Sequence, residues 1–524
     1  MFARAHTVAL AGAVGHLVDV QADVSSGTPG TTLVGRADAM LNEGRDRARM
    51  AVHNSGLEWP VNQRVTVLLS PADLPKVGTH YDLAIAVAVL AATGHLAPEA
   101  ASRVTLIGEL SLDGGLRSVS GVLPMVLASA RQGIHRVIVP EPQVAEATMV
   151  PGVEVLGLRS LGQVVAELRH DEMPLAHPVP AVASGAILGW RGQDRLSEVD
   201  MADLRGLADA KFAVEVAAAG GHHLLLMGPK GCGKTSLAER IPGVLPDLDP
   251  EVAIELMALR SLAGRLDPAE GLQRRPPYAA PHHDASKAAL VGGGSGRVSP
   301  GLLSLAHGGV VFLDEFPHFR TDVIDALRDP MENGDLTVSR GEESVTLPAR
   351  SLVVLASNHC ACGNDGSPRA VCRCRAAEKR DYQRRVSGPV LDRIDITRHL
   401  RPVVPGDGDG PLRTSAQIRD AVEHARVRQA ERYAGTTWRL NSDVPAAALR
   451  ERWPMSADAM QELDRALGQG QFTNRAIVRV HRLAWTLADL TGAECPGVSE
   501  LRTAFALRSG APLNDQLVRA WGGR

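Results

Sequence analysis

The loop Gly228-Pro229-Lys230-Gly231-Cys232-Gly233-Lys234-Thr235 directly follows the apolar run 224–227, and Ser236 carries it onward. A strand feeding such a glycine-rich turn frees successive backbone N–H groups to wrap phosphates, with Lys234 reaching the β and γ groups and Thr235 placing a hydroxyl on Mg2+. Farther along, Gly309-Val-Val-Phe-Leu-Asp314-Glu315 holds four apolar residues fit for a buried parallel strand. The end of that strand presents Asp314 to the Mg2+ shell and Glu315 to an attacking water. Adjacent acids there predict hydrolysis of ATP rather than simple nucleotide storage.

A third apolar segment, Leu352-Val-Val-Leu-Ala-Ser-Asn358, ends in an amide suited to orient the hydrolytic water, a sensor position. Ser387-Gly-Pro-Val-Leu-Asp392-Arg393-Ile-Asp395 and Thr473-Asn-Arg475 resemble the arginine-finger and second-sensor segments of AAA+ proteins. A finger at Arg393 implies a ring, because a guanidinium entering the neighbouring site makes hydrolysis contingent on assembly. The plainer reading pairs Arg393 with Asp392 or Asp395 in a surface turn.

Holding these groups together takes a parallel sheet, and the chain has room for more than that. At 524 residues it is too long for one ordinary core and suggests three domains. A composition of 44% hydrophobic and 22% charged residues excludes disorder, collagen-like repeats and a membrane bundle. The net charge of −3 neither supports nor excludes DNA, since a basic channel fits inside a near-neutral total. The apolar stretch 8–14 reads as strand rather than secretory leader, because His16, Asp19 and Asp23 interrupt it while Val18, Val20 and Ala22 alternate with polar neighbours. With no uncharged apolar stretch of about 18 residues, the expectation is a cytoplasmic protein with no membrane partner.

Residues 1–172 alternate strand-like runs (64–69, 103–107, 136–139) with Ala-rich helical text such as 83–92, which makes an α/β domain. Residues 173–200 carry the Pro- and His-punctuated chemistry of a linker. The ATPase core spans 201–400 and opens on a helix at 204–218. A second linker rich in Gly, Pro and Asp (402–411) leads to a helical lid over 412–524.

Over nearly its whole length the chain resembles the magnesium-chelatase-like AAA+ proteins of the YifB/ComM family. The residues that carry the likeness are Pro281-His282-His283-Asp-Ala-Ser286, Pro300-Gly-Leu-Leu-Ser-Leu-Ala-His-Gly-Gly309, the Asp314-Glu315 strand and Leu391-Asp-Arg-Ile-Asp395. The resemblance implies an overall α/β fold class: a Lon-protease-like N-terminal α/β domain, an AAA+ P-loop ATPase core and a small C-terminal helical domain. Two stretches depart from the family text. Pro276-Pro-Tyr-Ala279 replaces an Arg-Pro-Phe-Arg lead-in, and Asn358-His-Cys360-Ala-Cys362-Gly363 lacks two prolines of Asn-Pro-Cys-Pro-Cys-Gly.

The segment 108–123 resembles the Lon proteolytic fold, which needs a serine activated by a lysine. Gly78-Thr-His-Tyr-Asp-Leu-Ala-Ile-Ala86 has no serine, and no lysine lies between Lys76 and Lys211. The domain therefore reads as a binding or assembly platform, with Ser70 and Thr79 the hydroxyls that would need another base. Cys360-x-Cys362 and Cys372-x-Cys374 suggest a tetrahedral zinc with His359 in reserve, against reduced or redox-active thiols. Cys232 and Cys495 read as space-filling residues. His282 and His283 read as structural, since adjacent histidines are expected to diverge.

The alternating stretch Asp335-Leu-Thr-Val-Ser-Arg340-Gly341-Glu-Glu-Ser-Val-Thr-Leu347 signals a hairpin. In related rings such a hairpin enters the channel, where Arg340 would touch DNA phosphates; the alternative is a solvated tip. The resemblance implies a homo-oligomeric, hexameric ring that needs ATP and Mg2+ and acts on branched or single-stranded DNA as a helicase or branch-migration translocase in recombination or transformation. Rival readings are a chelatase motor subunit, a protein-remodelling machine and a regulatory ATPase.

Overall fold

Small and branched residues in alternation build the first sheet. Val14–Ser25 buries Val18, Val20, Ala22 and Val24 on one face, the two-residue period of a half-buried strand. A computed structural model describes residues 1–35, 39–72, 74, 76–180, 198–293, 298–340, 343–366, 370–386, 390–402, 413–514, 516, 518 and 521. Much of the first linker (181–197), nearly all of the second (403–412) and the start of the expected finger segment (387–389) lie outside the described residues.

The first sheet has seven strands in the order Gly30–Val34, Arg64–Ser70, Val14–Ser25, Phe2–Ala11, Thr105–Leu106, Arg136–Pro140 and Glu154–Leu158. Val14–Ser25 runs antiparallel to both its neighbours, and the remaining pairs are parallel. Ala5 and Ala9 share a core with Asp82–Ala92, a helix buried along its whole length. Val8, of opposite parity, packs with Val122 and Met125 of the helix Val122–Arg131.

The second sheet is wholly parallel, in the order Tyr278–Ala279, Val310–Leu313, Leu352–Ser357, Leu224–Met227 and Ile396–His399. Val310–Leu313 and Leu352–Ser357 are buried throughout, as continuous apolar runs require when both faces are covered. Leu313 is in register with Leu355, and Met227 with Ser357. The glycine loop, Asp314 and Asn358 consequently leave the same edge, the carboxyl ends of the strands, where open α/β sheets form their ligand crevice.

Among the described residues five α-helices follow: Ser415–Arg432, Ala446–Arg452, Ala457–Gly468, Asn474–Thr491 and Val498–Ser509. The first is capped by a reciprocal Thr414–Gln417 box, and Thr473 caps the fourth by accepting from the Ala476 N–H. One core cluster joins Leu226, Phe312 and Val354 of the parallel sheet to Val480, Leu483 and Leu501 of these helices. The helical part is thus fused to the parallel sheet by shared apolar burial. Among the described residues no helix is long and apolar enough to cross a membrane.

Contacts from several elements tie the first sheet's domain to the second. Met257 of the helix Pro250–Leu262 enters the core around Val122, Met125 and Val137. Beside it Ser261 Oγ donates to buried Glu146 Oε1 at 2.5 Å, and the Leu123 N–H donates to the same oxygen at 2.9 Å. Another contact involves the antiparallel hairpin Asp335–Arg340 and Glu343–Pro348. Its Val345 lies over Gly12, whose φ is +63° and where a Cβ would come within 2.6 Å of Val345 Cγ1.

Candidate nucleotide site

Close approach of backbone to backbone shapes the loop. A Cβ at Gly228 would come within 2.6 Å of the Leu400 carbonyl oxygen, and Gly231 and Gly233 hold φ values of +76° and +91°. Lys234 Nζ donates to the carbonyls of Gly228 (2.7 Å) and Pro229 (2.9 Å) and to Asn358 Oδ1 (3.0 Å). Burial pushes this ammonium down from its ordinary value, while Cys232, Asp314 and Glu315 pull it back. Cys232 is buried under the loop, and the Ser236 carbonyl accepts from Arg240 at 2.9 Å.

Thr235 Oγ1 donates to Asp314 Oδ2 at 2.8 Å, and Asp314 Oδ1 accepts from the Glu315 N–H at 2.8 Å. Glu315 sits at φ 49°, a left-handed conformation that costs a side chain of this type about 1 kcal/mol or more. That turn brings its Oε1 to 3.8 Å from Lys230 Nζ, above the loop. A hydroxyl and a carboxylate side by side form an all-oxygen donor pair, the chemistry Mg2+ prefers.

The arginines are arranged differently from the spacing argument. Arg393 pairs with Glu332, on the helix Arg328–Asn333, in place of Asp392 or Asp395. Arg475 is exposed on the first turn of its helix, 3.9 Å from Asp392. One turn on, buried Arg479 donates to Asp395 Oδ1 (2.6 Å) and to the Asp392 carbonyl (2.8 Å). Asp395 also accepts from the His223 N–H at 2.9 Å, at the root of the glycine-loop strand. Burial raises the Asp395 carboxyl, but Arg479, His222 and His223 outweigh it and hold the group below the usual carboxylate range. Sequence reasoning passed over Arg479; the signal was its position four residues beyond Arg475, on the apolar side of the same helix.

Cys360 Sγ lies 3.3 Å from Cys362 Sγ and 3.6 Å from Cys372 Sγ, and Cys362 and Cys372 are 3.7 Å apart. With Cys374 the four sulfurs all fall within 4.8 Å of one another, and none is in a disulfide. His359 stacks on His399 at 5.9 Å. The rings of His282 and His283 lie 4.1 Å apart instead of diverging, with Asp284 3.2 Å from the first and 3.5 Å from the second. Arg340 closes the hairpin in register with Glu343, and the tip at 341–342 lies outside the described residues. In the first domain buried Lys76 donates to the Pro71 carbonyl and Thr79 to Glu109.

Comparison with known families matches residues 200–406 to "Magnesium chelatase, subunit ChlI", 20–143 to "Subunit ChlI of Mg-chelatase" and 413–508 to "Magnesium chelatase, subunit ChlI C-terminal". An uncharacterized protein of Mycobacterium tuberculosis is 44% identical over 508 residues, covering 96% of this chain and 98% of that protein. The YifB protein of Escherichia coli and the competence protein ComM of Haemophilus influenzae are each 36% identical, over 517 and 515 residues, covering 96% of both chains in each case. A weaker likeness, 22% over 169 residues, links 29% of the chain to 30% of Lon protease 2 from Bacillus subtilis.

Proposed function

This chain belongs to the YifB/ComM family of magnesium-chelatase-like AAA+ proteins, and from that premise we propose that it is an ATP-hydrolysing, ring-forming motor that acts on DNA. The work it does is branch migration or strand separation, in recombination or in the uptake of transforming DNA. One observation carries the ATPase part: Lys234, Thr235, Asp314, Glu315 and Asn358 converge at one sheet edge in direct contact or one residue apart. The similarity to ComM, a competence protein, supports the DNA part, as does a hairpin strand ending in Arg340.

In this reading the N–H groups of 228–236 and Lys234 bind the triphosphate, and Lys234 exchanges its loop carbonyls for phosphate oxygens. Thr235 and Asp314 would hold Mg2+, which neutralises charge on the transferring phosphoryl group. Glu315 accepts the proton of the attacking water, and Asn358 fixes that water's position. Arg393 leaves Glu332 to reach a neighbour's site when a ring forms, and Arg475 or Arg479 reports nucleotide to the lid. The cysteine tetrad is assigned a structural zinc. The functional units are 1–172, 201–400 and 412–524, with 173–200 as linker.

The test is ATP turnover by the wild type and by Glu315→Gln, without DNA and with single-stranded, forked and four-way DNA, at ring-forming concentrations. Strong stimulation by branched DNA that Glu315→Gln lacks is the expected result. Turnover indifferent to every DNA would overturn the DNA reading and leave a chelatase-type, remodelling or regulatory ATPase.

A further inference from the structure

We propose that Cys360, Cys362, Cys372 and Cys374 bind one Zn2+ and that the metal-bound knuckle holds the nucleotide loop in shape through the Gly363 carbonyl. The proposal rests on the ATPase reading above. Zinc–thiolate bonds of about 2.3 Å in a tetrahedron set sulfur–sulfur edges near 3.8 Å. The separations among Cys360, Cys362 and Cys372, 3.3 to 3.7 Å, fall close to that edge and far outside a covalent disulfide, and Cys374 lies within 4.8 Å of all three. Cys360 is fully buried two residues beyond Asn358, so its position is fixed by the sensor strand. The rest of the loop has little apolar material to hold it, and Val371 is 82% exposed. A bound metal supplies the cohesion that such a loop cannot draw from a core.

The knuckle touches the nucleotide loop at Gly363. The Lys230 N–H donates to the Gly363 carbonyl at 2.9 Å, and Gly363 itself donates back to the Cys360 carbonyl at 3.0 Å. Gly363 has φ +75°, and a Cβ there would stand 2.5 Å from Lys230 Cγ and Cε, so the lysine stem lies flat on the glycine. Lys230 Nζ in turn is 3.8 Å from Glu315. On its far side the knuckle is anchored by Lys379 Nζ, which donates to Asp365 at 2.8 Å from the helix Ala376–Val386. A line of contacts therefore runs from the thiolates through Gly363 and Lys230 to Glu315. Coupling of this kind is reciprocal: if zinc tightens nucleotide binding, nucleotide must tighten zinc.

The experiment uses the full-length protein. Zinc is counted by elemental analysis, and its loss to a zinc-selective chelator is timed with and without a non-hydrolysable ATP analogue. Affinity for a fluorescent ATP analogue is measured before and after stripping, and in Cys362→Ser, Cys374→Ser and Gly363→Ala. The expected result is one zinc per chain, slower zinc loss with nucleotide, and about tenfold weaker nucleotide binding in stripped protein. Gly363→Ala should keep its zinc and its fold yet lose affinity by a similar factor, which preserves the test if stripped or cysteine variants unfold. Protein purified without zinc that also fails to take it up would overturn the metal site. Full zinc with unchanged nucleotide affinity in Gly363→Ala and unchanged zinc release would overturn the strut. Zinc-loaded wild type that binds no nucleotide would overturn the ATPase reading and this proposal together.

Discussion

Lys234 donates to two loop carbonyls and to Asn358 while its neighbour Thr235 donates to Asp314, so the groups that would meet ATP and Mg2+ already satisfy one another. Such a site is preorganised, and each group can be removed with a distinct consequence. Lys234→Ala should weaken nucleotide binding by at least about tenfold, read with a fluorescent ATP analogue, because the cation on the β and γ phosphates is gone. Glu315→Gln should bind nucleotide at close to wild-type affinity while turnover falls by about 100-fold or more, since only the proton acceptor is lost. The loop glycines, Lys234, Asp314 and Glu315 were legible because each motif is contiguous and bound to a strand end. The pairing of Arg393 with Glu332 was not, because the two side chains lie on elements that no local pattern relates.

At the scale of elements, the helix Asn474–Thr491 presents two arginines to the ATPase with opposite surroundings. Removing Arg479 leaves the Asp395 carboxylate buried without its partner, which should destabilise the protein by about 3–5 kcal/mol in denaturant unfolding. Exposed Arg475 should be worth about 0.5 kcal/mol or less by the same measurement, so any loss of turnover in Arg475→Ala would report a role at the nucleotide rather than in the fold. The hairpin offers a second case. Arg340→Ala should abolish stimulation of turnover by branched DNA and leave basal turnover intact; full stimulation in the variant would remove the hairpin from the DNA path. The helical character of 412–524 was legible from the sequence, whereas which arginine is buried depends on a partner 84 residues away in sequence.

For the whole molecule, the junction between the parallel sheet and the helical part carries buried titratable groups that set a pH dependence. Burial pushes His222 down to about 4, although the Asp395 carboxylate favours its protonation, and burial likewise pushes His481 down to about 4. Between the ordinary histidine value of 6.5 and about 4, the unfolded chain takes up protons that the folded chain refuses. Stability is therefore full above that window and is lost as pH falls through it. Asp395, held below the usual carboxylate range, adds a loss of the same sign at lower pH. Asp82 in the first domain runs the other way: burial lifts it to about 6 against Arg47, so its contribution grows as pH falls from about 6 toward 3.8. Melting temperature measured from pH 7 to 4 should fall, with a shallower slope in His222→Gln; an unchanged slope would show that His222 does not set it.

Local order along the chain was enough to make legible the family, the α/β class and the loop and strand ends to which we assign the nucleotide. Those features depend on periods of two or four residues and on glycines at fixed offsets, which neighbouring residues impose on one another. Contacts between distant segments were decided only when the chain closed on itself: Arg479 with Asp395, Arg393 with Glu332, Gly363 under Lys230 and Gly12 under Val345. Each is a match of shape or charge between surfaces whose approach is fixed by core packing. That packing is a property of the assembled layers rather than of any single run of residues.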